Sequence, residues 1–125
     1  MSQKKFFTPF SWYNYSKKLL SRIEHPKFMG YFTPQEATAR QLRLVQGREG
    51  EPSQGHILEI YLLVDENDGV IADVKFQAFG TSALIGAAEA ASDILVGKNY
   101  DQAKRISADL IDRQFRDKPD VEAFP

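Results

Sequence analysis

Three consecutive runs decide the fold: Ile57-Leu58-Glu59-Ile60-Tyr61-Leu62-Leu63-Val64, then Asp65-Glu66-Asn67-Asp68-Gly69, then Val70-Ile71-Ala72-Asp73-Val74-Lys75-Phe76-Gln77-Ala78-Phe79. The first run reads as a strand with Leu58, Ile60, Leu62 and Val64 on one face. The middle run ends in Asp-Gly, a strong signal for a tight reversal between strands. The third run returns with Val70, Ala72, Val74, Phe76 and Ala78 on one face, while Asp73, Lys75 and Gln77 point the other way. One dry face and one wet face predict an antiparallel sheet covered on one side.

Working outward from this pair, Gly80 ends the second strand and Thr81 or Ser82 can cap a helix running to Val96. Ala83, Leu84, Ile85, Ala87, Ala88, Ala90, Ala91, Ile94, Leu95 and Val96 make that helix apolar on nearly all sides, so it is buried centrally. Gly97 terminates it. Asn99 and Gln102 have capping-box spacing for a short helix, and Ser107 can cap another that carries Leu110, Ile111 and Phe115. The tail from Lys118 to Pro125 has no period.

On the upstream side, Ser11 can cap a helix that runs to about Glu24. Trp12, Tyr15, Leu19, Leu20 and Ile23 form its apolar stripe, and Lys17, Lys18 and Arg22 take the solvated face. Pro26 stops it, because the residue before a proline is pushed out of helical geometry. Residues 27–37 read as a loop, and a first strand is expected around Arg40 to Gln46. Gly47 to Gly55 reads as a flexible loop. Residues 1–10 read as an arm lying on the domain. The order helix, three strands, then helices implies α+β, a three-stranded antiparallel sheet with helices packed on one face.

The chain has 125 residues with a formal net charge of −1, which suits a single domain spanning 1–125. A near-neutral surface gives no general attraction to nucleic acid or anionic membrane. No run reaches the roughly 20 apolar residues a bilayer demands. No signal peptide is read at the N-terminus, so the expected compartment is cytoplasmic. Cysteine count is zero, which excludes disulfides, a cysteine nucleophile and any iron–sulfur cluster held by this chain's own thiolates. No Ser-His-Asp arrangement is credible with two histidines, and Gly47-Arg48-Glu49-Gly50 lacks the lysine and following helix of a phosphate-binding loop. The chain does not read as an enzyme.

Several stretches then take on a family likeness. Tyr15-Ser16-Lys17-Lys18-Leu19-Leu20 leads into Glu24-His25-Pro26-Lys27-Phe28-Met29-Gly30. Further on, Gly69 to Gly80 continues through Thr81-Ser82-Ala83 to Val96-Gly97-Lys98-Asn99. Between them lies Gly50-Glu51-Pro52-Ser53-Gln54-Gly55-His56. Together these resemble the NifU/IscU iron–sulfur scaffold family from about residue 13 to 112. That family has a Tyr-Ser helix start, a Gly-Ala-Pro-Ala-Cys-Gly-Asp loop, and a strand, Gly-Cys turn and small-residue helix in this order. The resemblance implies the NifU N-terminal/IscU-like fold.

It also implies where cluster ligands would fall. The family's first cysteine matches Gln54, its aspartate His56 and its second cysteine Thr81. Its third cysteine lies in a last helix, expected to be absent because the sequence stops at Pro125. The Leu-Pro-Pro-Val-Lys motif that engages an Hsp70-type chaperone is missing too. Cluster assembly needs deprotonated sulfur, and a neutral amide and a hydroxyl do not supply it. The resemblance therefore implies a degenerate, cysteine-less relative without a cofactor. Such a protein would bind the family's usual partner, a cysteine desulfurase or a scaffold subunit, or form a homo-oligomer.

The alternative is a small-ligand or metal-binding protein that reuses the former cluster pocket. His56 is the side chain there with affinity for a divalent metal, and Glu51 is the carboxylate in reach; one imidazole and one carboxylate fall short of a metal site. The bland reading is a disused loop with an exposed histidine. Phe6, Phe7, Phe10, Trp12 and Tyr13 are more aromatic than one arm needs, and serve either as a docking surface for a partner or as core packing. His25 reads as a helix-end residue, and Asp73 with Lys75 as a solvated pair.

Overall fold

The structure, a computed structural model, describes residues 15–124. Its elements are α1 (Lys17–Glu24), α2 (Pro34–Ala39), β1 (Arg43–Glu51), a 3-10 turn (Pro52–Gln54), β2 (His56–Asp65), β3 (Val70–Phe79), α3 (Ser82–Leu95), α4 (Tyr100–Ala103) and α5 (Ala108–Gln114). The three strands form one antiparallel sheet in the order β1-β2-β3. The central helix α3 packs against β3, α1 and α5. This is the α+β arrangement expected from the strand pair and the apolar helix.

Helix α3 starts where expected: the Thr81 side chain accepts from Leu84 N at 3.3 Å. Gly86 sits at the crossing with α1, where a Cβ would lie 3.1 Å from Ile23 Cδ1, so a larger residue there would press on the Ile23 side chain. The Asn99–Gln102 capping box and the Ser107 cap are both present.

Local differences have physical causes. Helix α1 begins at Lys17 with Ser16 as its cap, not at Ser11, because Ser16 is extended and its Oγ accepts from Leu19 N at 3.0 Å; Ser11 and Trp12 lie outside the described residues. The other two N–H groups of that first turn are met from far along the chain. Asp117 accepts from Lys17 N at 2.6 Å and from Lys18 N at 3.2 Å. Segment 27–37 is not all loop, since Thr33 caps α2 and Pro34 fits its first turn. Strand β1 starts later and runs on to Glu51 through Gly47 and Gly50 of the expected loop, held by an unbroken register against β2.

The sheet faces also differ in detail. A bulge at Ala72 shifts the phase of β3: Leu63 lies opposite Asp73 but Val64 opposite Ile71. Ile71, not Ala72, therefore joins Val64 and Val74 in the core under α3. The expected wet face is partly dry, because Phe32, Ala37, Tyr61 and Leu63 form a second cluster beneath α2. Asp73 does not pair with Lys75. It takes Arg40 at 3.0 Å, and the Lys75 ammonium lies 5.0 Å from the Phe32 ring centroid.

The tail is bound in place rather than loose. Ser16 N donates to Ala123 O at 2.9 Å, and Ala123 is buried beside Tyr15, Leu19 and Phe115. Asp112 accepts from Ala123 N at 2.8 Å, Phe124 N at 3.1 Å and Arg116 Nε at 2.6 Å.

This packing can be tested at two residues. Ala88 is buried, and overpacking such a site costs about 1–3 kcal/mol, so Ala88→Leu should lower the melting temperature by several degrees in a calorimetric scan. An unchanged transition would mean that α3 is not tightly seated. For Asp112, burial pushes the carboxyl up, but the Arg116 hydrogen bond and the two backbone N–H groups outweigh it, and its pKa lies below the usual 3.8. A depressed carboxylate contributes stability above its unfolded pKa and loses it as pH falls through the folded one. The stability gap between wild type and Asp112→Asn should thus shrink below about pH 4. A gap constant with pH would show that the charge is not what holds the tail.

Candidate functional site

The three positions singled out in sequence lie at one end of the sheet. Glu51 and His56 are the last facing pair of β1 and β2, and Ile57 faces Phe79 at the end of β3. The tight link from β1 to β2 is made by Pro52–Gln54 and by Gly55, whose φ of 80° favours glycine. Gln54 closes that turn and is exposed.

Two other glycines draw the backbone in around His56. A Cβ on Gly50 would lie 2.5 Å from the His56 carbonyl oxygen and 2.9 Å from its ring Cδ2. One on Gly80 would lie 3.2 Å from His56 Cβ and 3.4 Å from the Gly55 oxygen. The β1–β2 link therefore touches the β3–α3 junction, and the Gln54–His56 loop and Thr81 are brought to one place.

Chemically the place is polar and open. Gln54, His56 and Thr81 are all exposed. Thr81 Oγ1 is engaged as the cap of α3. Glu51 stands opposite His56 in register, as the carboxylate nearest in the sequence reading. Among the described residues, no group of three or more His, Cys, Asp or Glu side chains could hold a metal ion. The aromatic positions Phe6, Phe7, Phe10, Trp12 and Tyr13 lie outside the described residues.

Sequence reasoning missed two features. Phe79, adjoining this end, is 66% exposed; two residues beyond Gln77, it falls on the face of β3 turned away from α3. The larger omission is an ionic site behind the sheet. Glu89 is fully buried and accepts from Arg22 Nε at 3.0 Å, Lys27 N at 3.0 Å and Phe28 N at 2.8 Å. Arg22, expected on a solvated face, also reaches Asp93 at 3.1 Å. A lone glutamate inside a run of alanines was the available signal.

A family model described as the NifU-like N terminal domain matches residues 14–123. The chain belongs to that family. Its curated relatives include a protein of Drosophila melanogaster called iron-sulfur cluster assembly enzyme IscU, 28% identical over 84% of this chain and 64% of its own length. Another, from Archaeoglobus fulgidus, is called iron-sulfur cluster assembly scaffold protein IscU 1 and is 29% identical over 78% of this chain and 57% of its own. The chain thus spans less than two thirds of the length of either relative. A crystal structure of a scaffold protein for the SUF system from Fervidobacterium Islandicum AW-1 shares the NifU-like fold. It aligns with a TM-score of 0.57 at 22% identity, over 75% of this chain and 62% of that one. No helix among the described residues is long and apolar enough to cross a membrane.

At the candidate site of this NifU-like chain, zinc titration by calorimetry should show no stoichiometric binding, and His56→Ala should leave the titration unchanged. A tight site that vanishes in His56→Ala would overturn this, because oxygen ligands alone hold a transition metal weakly.

Proposed function

We propose that this chain acts in iron–sulfur cluster biogenesis as a protein that does not itself hold a cluster. It would engage a cysteine desulfurase or a scaffold subunit in the cytoplasm through the family's shared surface. One observation carries this reading: an amide, an imidazole and a hydroxyl stand at Gln54, His56 and Thr81, and the 125-residue chain contains no cysteine. Iron–sulfur clusters are held chiefly by thiolates, which must be deprotonated to bind iron. The names of the relatives, an iron-sulfur cluster assembly enzyme and a cluster assembly scaffold protein, support the pathway. The site chemistry supports the lack of a cluster. A protein that keeps the fold without the ligands can act only through what it touches, not through sulfur it carries. No group at the site offers a paired acid and base or an activated nucleophile, so the proposed role is non-enzymatic.

The test combines two readouts on one preparation. The purified chain is incubated with ferrous iron, sulfide and a cysteine desulfurase, then separated by gel filtration. The expected result is co-elution with the desulfurase and no thiolate-to-iron absorption in the visible spectrum. Stoichiometric iron and sulfide on the chain would defeat the non-cluster reading. Separate elution from both the desulfurase and a cysteine-containing scaffold would defeat the partner reading.

A further inference from the structure

The sheet has two edges, and the chain treats them differently. The outer edge of β3 is occupied. Phe76 N donates to Phe28 O at 2.9 Å, and Gly30 N donates to Phe76 O at 2.8 Å. Further along, Ile71 N donates to Lys98 O at 2.9 Å, and Gly97 N donates to Ile71 O at 2.8 Å. Two straps thus use up the hydrogen bonds an incoming strand would need.

Among the described residues, the outer edge of β1 has no such cover. No backbone bond among them beyond the β1–β2 ladder involves any residue of Arg43–Glu51. The strand is nine residues long, has no proline, and pairs with β2 without a bulge. A nine-residue edge with no described cover is a template for another strand.

We propose that this edge pairs with β1 of a second copy of the chain, antiparallel about Gly47, to give a continuous six-stranded sheet. The argument for a second copy is charge. A two-fold axis through the sheet at Gly47 sets residues opposite one another whose numbers sum to a constant, with both helical layers on the same side. Arg43 of each copy then faces Glu51 of the other, Arg48 faces Gln46, and all nine residues find partners. Moving the axis to Arg48 or Glu49 puts like charges face to face, which destabilises a strand pair. Moving it to Gln46 leaves Glu51 beyond the end of the strand. The present partner of Arg43 is Glu66, at 3.6 Å with both side chains more than half exposed, a contact that gives way easily. The same charges deter an unrelated strand that lacks the matching order.

This pairing reaches the candidate site. Glu51 faces His56 across the β1–β2 ladder, so Arg43 of the second copy arrives at the rim of the Gln54–His56 loop. Each site would be completed by a cation from the other chain.

Sedimentation equilibrium of the full chain, at low and at physiological salt, tests the proposal. Wild type should dimerise reversibly, more tightly at low salt. Arg43→Glu and Glu51→Arg each set two like-charged pairs across the axis and should weaken the dimer about tenfold or more. Both positions are exposed, so circular dichroism should show each variant folded. An equimolar mixture of the two variants should dimerise again. In the mixed dimer the two substituted side chains face each other with opposite charge, and the native Arg43 of one chain faces the native Glu51 of the other. A wild type that stays monomeric at every concentration would overturn the proposal. So would a dimer indifferent to both reversals, or variants that weaken it but fail to recover on mixing.

Discussion

The structure turns on one buried carboxylate. Glu89 sits in the middle of α3 and is fully closed off from solvent. A charge in such a place is expensive unless it is paired and hydrogen-bonded. Here it is both: the Arg22 guanidinium supplies the counter-charge, and the backbone N–H groups of Lys27 and Phe28 supply two further donors. Each partner comes from a different part of the fold's front edge. Arg22 lies in the last turn of α1, while Lys27 and Phe28 lie just past Pro26, where the helix has been stopped. Glu89 therefore fixes the angle of α1 on α3 and the path of the chain that leaves it. That path is what delivers Phe28 and Gly30 to the edge of β3. The guanidinium is in turn held between the rings of Phe28 and Phe115, 5.5 Å from each centroid. Removing one member of a buried pair of this kind leaves an uncompensated charge, at a cost of about 3–5 kcal/mol, a large share of a small domain's stability.

This constraint lies well away from the candidate site, and the separation has a consequence. Gln54, His56 and Thr81 are exposed, and none belongs to a core cluster. What the site needs from the fold is backbone geometry: Gly50, Gly55 and Gly80, which let two loops close on His56. Of the three side chains only Thr81 supports the fold directly, as the cap of α3.

The same division explains how far the sequence could be read. The hairpin of β2 and β3 was legible because period-2 alternation and Asp68-Gly69 point the same way. Helix α3 was legible because its apolar run is bounded by Thr81 and Gly97. The bulge at Ala72 was not, since alternation looks unbroken on paper while the ladder skips a residue. Helix α2 was hidden because six residues give too little period, although Thr33-Pro34 carried its start signal. The Ser11 start for α1 erred because two serines five apart both precede apolar residues; the Asp117 side chain, a hundred positions away, decides for Ser16. Arg22 was misplaced for a similar reason, as only the arrival of Glu89 makes its position interior. At the site, the meeting of the Gln54–His56 loop with Thr81 followed from the family likeness. The glycines that enforce it were visible, but their role depends on contacts between distant segments.

The chemistry left at the end of the sheet also constrains what the protein can offer. Thiolates bind soft metals and accept sulfur; an amide, an imidazole and a hydroxyl offer hydrogen bonds instead. Such groups gain strength when desolvated and matched by a partner, and little when facing water. A surface that covered this end and excluded water would strengthen those hydrogen bonds. The exposed Phe79 beside the loop adds apolar area that a covering surface would bury. Among the described residues, no cluster of three metal-ligating side chains stands there to hold an ion.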